Sequence, residues 1–265
     1  GPTIRVVNDY TEEAPPIFKY LNRNIHGEGV PPLDSLPVNV CNCAGYCDPE
    51  DPTCLCLNKA QGIVPFDSDH QITLDYSEEL WECGADCKCA DECALRVVQH
   101  GRKVKVEIFR TADRGWGVRA AEFIPYGTFI GLYLGEVVTV EEATRRAERY
   151  SELRTSYLFD LDGNETSDSP LRYCVDAFAC GNFTRFMNHS CSPNVKIVTA
   201  HVTNADLDLH DLALFACQNI AKGEEFSFDY MGTPTAVQTM ESLILSKSAL
   251  SKWEFQCRCQ SDMCR

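Results

Sequence analysis

The spacing of apolar and polar residues changes character twice along the chain. Residues 3–37 are polar and proline-bearing, with Pro15-Pro16, Pro31-Pro32 and one apolar stretch, Ile17-Phe18-Lys19-Tyr20-Leu21. That pattern predicts an extended arm with room for one helical turn. Between residues 38 and 99 aliphatic side chains are too sparse to build a core, and cysteines stand in their place. From Lys103 a period of two sets in: Val104, Val106 and Ile108 alternate with Lys103, Lys105 and Glu107, the mark of a half-buried strand. Further β-branched or aromatic runs predict strands at Thr128–Leu134, Ser156–Leu161, Arg172–Val175, Val195–Val202, Leu212–Ala216 and Glu225–Phe228. Only Glu141–Tyr150 has clear helical character, with Glu141/Arg145 and Glu142/Arg146 at i,i+4 spacing. The Ser/Thr-rich stretch 232–256, with weak apolar spacing at Met240, Leu243, Ile244 and Leu250, suggests a mobile or partly helical linker. The expected fold is mostly β, divided into an arm (1–37), a cysteine module (38–99), a β domain (100–232), a linker (233–256) and a terminal cysteine motif (257–265).

Composition narrows the function classes. The 265 residues allow roughly two domain-equivalents. A net charge of −15, from 24 basic and 39 acidic residues, repels phosphates and favours cationic partners, so direct nucleic-acid binding is not expected. No apolar run approaches the roughly 18 residues of a membrane span, and no charged-then-apolar leader opens the chain, so a soluble protein is expected.

The sixteen cysteines carry the strongest chemistry. Nine fall as Cys41-x-Cys43-x3-Cys47-x6-Cys54-x-Cys56 and Cys83-x3-Cys87-x-Cys89-x3-Cys93, and three more close the chain as Cys257-x-Cys259-x4-Cys264. A disulfide-stapled secreted domain fits poorly: nine is odd, and the C-x-C pairs lie too close in sequence to distribute staples. Zinc fits better, because nine thiolates give three ions four ligands each when six are terminal and three are shared. The module should therefore unfold without metal. The terminal trio needs a fourth thiolate from elsewhere. With four such ions bound, the net charge deepens from −15 to about −20.

Other motifs are ambiguous taken singly. Gly115-Trp116-Gly117 reads as a tight turn, Asn188-His189-Ser190-Cys191 as a hydrogen-bonded turn, and tyrosines in β-runs usually pack in cores. Taken together, Arg114-Gly115-Trp116-Gly117-Val118, Tyr133-Leu134-Gly135-Glu136-Val137, Arg185-Phe186-Met187-Asn188-His189-Ser190-Cys191-Ser192-Pro193-Asn194 and Phe228-Asp229-Tyr230 resemble the SET-domain protein lysine methyltransferases in order and spacing. The nine-cysteine module resembles that family's pre-SET three-zinc cluster, and the terminal trio its post-SET motif. This layout is that of the suppressor-of-variegation 3-9 group, including its fungal members, which act on lysine 9 of histone H3.

The resemblance implies a β-clip SET fold with a pseudoknot, and S-adenosylmethionine as methyl donor. It implies a donor site at Arg114, Gly115, Trp116, Gly117, Tyr133, Arg185, Asn188 and His189, with Cys191 completing the terminal zinc site. Tyr230 and Tyr157 would lie beside the reacting amine, and Arg185 would be structural or orient Tyr230 or Asp229. Phe228 would leave room for di- and trimethylation. The substrate would be the histone H3 tail, added as a strand and met by Asp160 and Asp162; a second acidic group, Asp206, Asp208 and Asp211, reads rather as a solvated face. A nuclear, chromatin-associated monomer acting in heterochromatin, with chromatin proteins as partners, is expected. Lys247 and Lys252 suggest a self-methylated autoinhibitory segment, and Trp253 or Phe255 a cofactor lid. Cys174, Cys180 and Cys217 are expected to be buried free thiols. Another lysine as target, or an idle zinc-bearing chromatin adaptor, stays open on the sequence.

Overall fold

A computed structural model describes residues 1–36, 38, 40–75, 78–153, 156–164, 166, 169–202, 204–231 and 257–264. The arm forms three short strands, β1 (Arg5–Val7), β2 (Lys19–Tyr20) and β3 (Ile25–His26), followed by a 3-10 turn at Leu33–Ser35. The cysteine module adds α1 (Leu55–Lys59) and β4 (Leu80–Trp81). The second half contains β5 (Val106–Arg110), β6 (Trp116–Ala120), β7 (Phe129–Tyr133), β8 (Glu136–Thr139), α2 (Val140–Glu152), β9 (Leu158–Asp160), β10 (Tyr173–Asp176) and β11 (Cys180–Gly181). A 3-10 turn at Phe183–Phe186 leads to β12 (Asn188–His189), β13 (Val195–His201), β14 (Asp211–Ala216) and β15 (Ser227–Phe228).

Small sheets form in the orders β1-β5-β6, β3-β8-β10-β9, β4-β13-β14-β7, β11-β2 and β12-β15. Strand β14 lies inside its sheet, with every residue buried, which suits the nearly continuous apolar run Leu212-Ala213-Leu214-Phe215-Ala216. The main core gathers Val118, Ile130, Val175, Leu214, Ile220 and Phe226, each fully enclosed. The arm does not hang free: β1 pairs with β5, β2 with β11 and β3 with β8, all in parallel.

Helix α2 begins at Thr139, whose hydroxyl accepts from the Glu142 N–H at 3.4 Å, a conventional N-cap. Of the two expected i,i+4 ion pairs, Glu142–Arg146 forms and Glu141–Arg145 is not among the described bonds. Glu142 takes both partners, Arg146 at 2.8 Å and Arg145 at 2.6 Å. The Glu141 carboxylate instead turns back on the helix start, where its own N–H and the Thr139 hydroxyl hold it below the usual range.

In the cysteine module sulfur does the work of aliphatic carbon. Cys41, Cys54, Cys56, Cys83, Cys87, Cys89 and Cys93 form one buried cluster with only Leu57 and Leu95. The module is fastened to the β domain through β4, which runs parallel to the end of β13, and Trp81 stacks on His201 at 3.9 Å. Glu82, 1% exposed, accepts from the backbone N–H groups of Val97, Val98 and Gln99 at 2.7–3.0 Å. Burial pushes this carboxyl up to about 7 even so. Cys174 and Cys180 are buried as expected, whereas Cys217 is only half-buried, its thiol 3.4 Å from the Pro193 carbonyl. Among the described residues no helix is long and apolar enough to cross a membrane.

Replacing Glu82 by alanine leaves three inward N–H groups without an acceptor. Glu82→Ala should lower unfolding stability by about 3 kcal/mol, read from urea denaturation of the metal-loaded protein.

Candidate active site and metal centres

The site is organised where two distant segments meet. Asn188 and His189 pair in parallel with Ser227 and Phe228. The Ser190 N–H donates to the Phe228 carbonyl at 3.1 Å, and Asn194 bonds Ser227 N–H and the Glu225 carbonyl at 2.9 and 2.8 Å. This crossing sets Phe228-Asp229-Tyr230 beside Asn188-His189. The Tyr230 N–H donates to His189 Nδ1 at 3.1 Å, which assigns the ring proton to Nε2, 3.2 Å from Cys191 Sγ.

Aromatic rings converge here. Phe228 lies 4.8 Å from Tyr230, 6.1 Å from Phe159 and 6.4 Å from Tyr133, and Phe159 lies 5.5 Å from Tyr133. The Tyr230 hydroxyl donates to the Met187 carbonyl at 2.6 Å, and the Tyr133 hydroxyl to the Tyr157 carbonyl at 2.9 Å. Burial pushes both phenols up, and Tyr157 adds to the effect on Tyr230. Both hydroxyls therefore stay protonated through the physiological range and act as hydrogen-bond groups, not bases. Phe159 and Phe178 belong to this setting and were not singled out in the sequence. The apolar run Tyr157-Leu158-Phe159 is the signal that carries Phe159, whereas nothing local marks Phe178, which reaches Tyr157 at 5.8 Å and stacks on Tyr150 at 4.6 Å.

Arg185, on the 3-10 turn, turns toward Tyr157. Its guanidinium lies 4.2 Å from that ring, while its Nε and Nη2 donate to the Ala177 and Phe178 carbonyls at 2.7 and 3.0 Å. No contact to Tyr230 or Asp229 is among its described bonds; its position under Tyr157 comes from the carbonyls of 177–178, which only the tertiary fold supplies.

On another side, the turn 111–115 is closed by the Gly115 carbonyl, which accepts from the Thr111 N–H and hydroxyl at 2.8 and 2.9 Å. Gly115 has φ +76°, the left-handed region, as a tight turn requires. Gly117 owes its missing side chain to a protein neighbour: a Cβ there would lie 2.8 Å from Glu225 Oε1. Glu225, unremarked in the sequence, joins the group, accepting from Arg114 Nη2 at 2.6 Å and Asn188 Nδ2 at 2.7 Å; Asn188 also donates to the Trp116 carbonyl at 3.2 Å. A guanidinium, a carboxylate and an amide beside aromatic rings suit a zwitterionic amino-acid group carried on an apolar ring system, so these residues fit S-adenosylmethionine.

Asp160 ends β9, the outer strand of its sheet, and is half-buried; Asp162 is exposed just beyond it. Asp208 is engaged by Arg172 at 3.0 Å and Asn164 at 2.8 Å, which places it in a surface network. Lys247, Lys252, Trp253 and Phe255 lie outside the described residues.

No disulfide joins any of the sixteen cysteines among the described residues. Four-thiol groups with sulfurs within 4.8 Å of one another form from Cys41, Cys43, Cys47 and Cys54, from Cys41, Cys56, Cys83 and Cys87, and from Cys41, Cys47, Cys83 and Cys89. A separate group joins Cys191 to Cys257, Cys259 and Cys264. These donor sets are consistent with zinc sites. Crowding splits the thiols: hydrogen bonding from Cys83 draws Cys93 down to about 4, while Cys83 itself is pushed well above the usual range, first by Cys56.

The chain matches the SET domain family model over residues 115–231 and the Pre-SET motif model over residues 1–96. It is 39% identical, over its full length, to a histone-lysine N-methyltransferase of Schizosaccharomyces pombe described as H3 lysine-9 specific, and spans 55% of that protein. It is 36% identical to the Neurospora crassa H3 lysine-9 specific enzyme dim-5, with 94% of this chain and 83% of that protein covered. The crystal structure of Arabidopsis thaliana SUVH6 in complex with SAM superposes with a TM-score of 0.79 at 33% identity, covering 99% of this chain and 52% of that one. The chain spans about half, or less, of several of its curated relatives.

A strong chelator should expose the clustered thiols to a thiol reagent while Cys174 and Cys180, enclosed by apolar side chains, react only after denaturation. Counting modified cysteines by mass spectrometry with and without chelator checks this.

Proposed function

We infer that this chain, which belongs to the SET-domain histone-lysine N-methyltransferases with a pre-SET motif, methylates lysine 9 of histone H3 from S-adenosylmethionine in nuclear chromatin. The observation that carries the reading is the crossing of 188–194 with 224–230, which brings the donor-site groups Asn188 and Glu225 next to the ring cage of Tyr133, Phe159, Phe228 and Tyr230.

Bound S-adenosylmethionine supplies an electrophilic methyl on a positively charged sulfur, and that charge also disfavours an ammonium opposite it. Arg114, Asn188 and Glu225 would hold its amino-acid end, with Trp116 and His189 alongside. The accepting amine must arrive neutral, which at pH 7 costs a free lysine roughly 4.6 kcal/mol. The ring cage lowers that cost by denying the ammonium water. Tyr230 and Tyr133 remain phenols, so the amine gives its proton to water, and Tyr230 and Tyr157, beside the accepting amine, orient its lone pair. Glu225 is held by Arg114 and Asn188 and serves as an anchor. End-on alignment of donor and amine supplies much of the acceleration.

Strand β9 lies at the sheet edge and follows Tyr157 directly, which suits an extended basic tail adding as a further strand, with Asp160 and Asp162 near its Arg and Lys side chains. The chain's −15 charge favours the same partner. For zinc, the recurrence of Cys41, Cys47 and Cys83 among the thiol groups supports these three as the shared ligands. Cys43 and Cys54, Cys56 and Cys87, and Cys89 and Cys93 then serve as terminal pairs, and one more ion sits in the Cys191 group.

The test is mass spectrometry of histone H3 tail peptides incubated with S-adenosylmethionine. Lysine 9 should gain methyl groups, and Tyr230→Phe should cut the rate by about a hundredfold while leaving the peptide's KM within a few-fold. Methylation confined to another lysine, or none with donor bound, overturns the reading. Wild type should proceed to trimethyl product, because Phe228 brings no hydroxyl into the cage; Phe228→Tyr should shift the product toward monomethyl, read as the mass distribution at complete peptide turnover.

A further inference from the structure

Arg185 presents a problem that the arm solves. The residue is 6% exposed, yet its Nη1 finds no hydrogen-bond partner among the described residues. Two carbonyls satisfy Nε and Nη2. What replaces water around the rest is aromatic: the guanidinium lies 4.2 Å from the Tyr157 ring, 4.7 Å from Phe18 and 4.9 Å from Phe186. Phe18 is the one ring of the three that comes from the arm, and it meets Phe186 edge-on at 5.5 Å. A desolvated guanidinium gains more from ring faces than an exposed one, so each face matters here.

The arm is registered to the same segment that holds Arg185. The Lys19 N–H donates to the Ala179 carbonyl at 3.0 Å, and β2 then pairs with β11. Ala177 and Phe178, two and one residues earlier, give Arg185 its carbonyls, and the Ala177 N–H donates to the Tyr157 carbonyl at 3.0 Å. Phe18, Arg185 and Tyr157 thus form a stack whose outer member is set by β2 and whose inner member borders the cage.

We propose that Phe18 is a positioning residue for methyl transfer, pressing Arg185 against Tyr157 and so fixing the tyrosine beside the accepting amine. This rests on the reading of Tyr157 given above. Loss of the ring lets water reach the guanidinium and releases its hold on Tyr157. The donor-binding groups Arg114, Asn188 and Glu225 are held by their own hydrogen bonds, which do not pass through Phe18.

The experiment compares wild type, Phe18→Leu and Phe18→Tyr in the full chain with metal bound. Phe18→Leu should lower kcat on the H3 tail peptide about tenfold, equivalent to about 1.4 kcal/mol, with calorimetric affinity for S-adenosylmethionine within about twofold of wild type. Phe18→Tyr, which keeps the ring face, should recover most of the rate. A fluorotyrosine placed at position 157 gives a readout independent of turnover: its fluorine resonance should broaden or split in Phe18→Leu and stay single in Phe18→Tyr. The proposal is overturned if Phe18→Leu turns over like wild type with an unchanged resonance. It is equally overturned if rate, donor affinity and melting temperature fall together, or if Phe18→Tyr behaves as Phe18→Leu. A wild type that binds donor but transfers nothing to the peptide sinks the proposed activity instead, and the resonance comparison then decides the stack alone.

Discussion

Two chain segments more than thirty residues apart share a short parallel pairing, Asn188–His189 with Ser227–Phe228, and the rest of the site is suspended from it. Only two residues on each side take part, so the ladder itself contributes little. Side chains reinforce it: Asn194 bonds backbone groups of Glu225 and Ser227, and His189 receives the Tyr230 N–H. Remove the crossing and the amide of Asn188 no longer faces Glu225, nor does Tyr230 face Tyr157. The same crossing carries Cys191 to the terminal cysteines, so one junction serves the cage, the polar anchor and a thiol group.

The chemistry that follows is governed by what burial does to charge. In the cage, burial keeps phenols protonated and would disfavour an ammonium, two effects of one sign; with their protons spent on backbone carbonyls, the hydroxyl oxygens are left to accept from an amine N–H. Around the guanidinium of Arg185, carbonyls and ring faces substitute for water. Among the clustered thiols, crowding forces some sulfurs to give up protons and others to keep them, a conflict that a divalent ion resolves by replacing the protons altogether.

The sequence made some of this readable and hid the rest for identifiable reasons. Strands such as Val195–His201 and Asp211–Ala216 stand out because β-branched and aliphatic runs are bounded by polar turns, and α2 because its charges are spaced at one helical turn. Cysteine spacing announced the thiol clusters, and the recurrence of Cys41, Cys47 and Cys83 agrees with the sharing that nine ligands require. Two-residue strands such as β11 and β12 carry no periodicity and exist only through their partners. Glu225 stands in the sequence only as the first residue of a predicted strand; its contacts depend on Arg114 and Asn188, both distant in sequence. The orientation of Arg185 was likewise unreadable, since its acceptors are backbone carbonyls common to every residue.

The woven arm has a consequence for how the molecule is made. Its three strands are made before their partners in β5, β8 and β11, which follow roughly a hundred residues or more later. Until then Phe18 and Leu21, which the folded β domain covers, travel in an open apolar segment with free backbone edges, a stretch that invites chaperone capture or association between nascent chains. The arm therefore finds its place only after the strands of the β domain that receive it have been made.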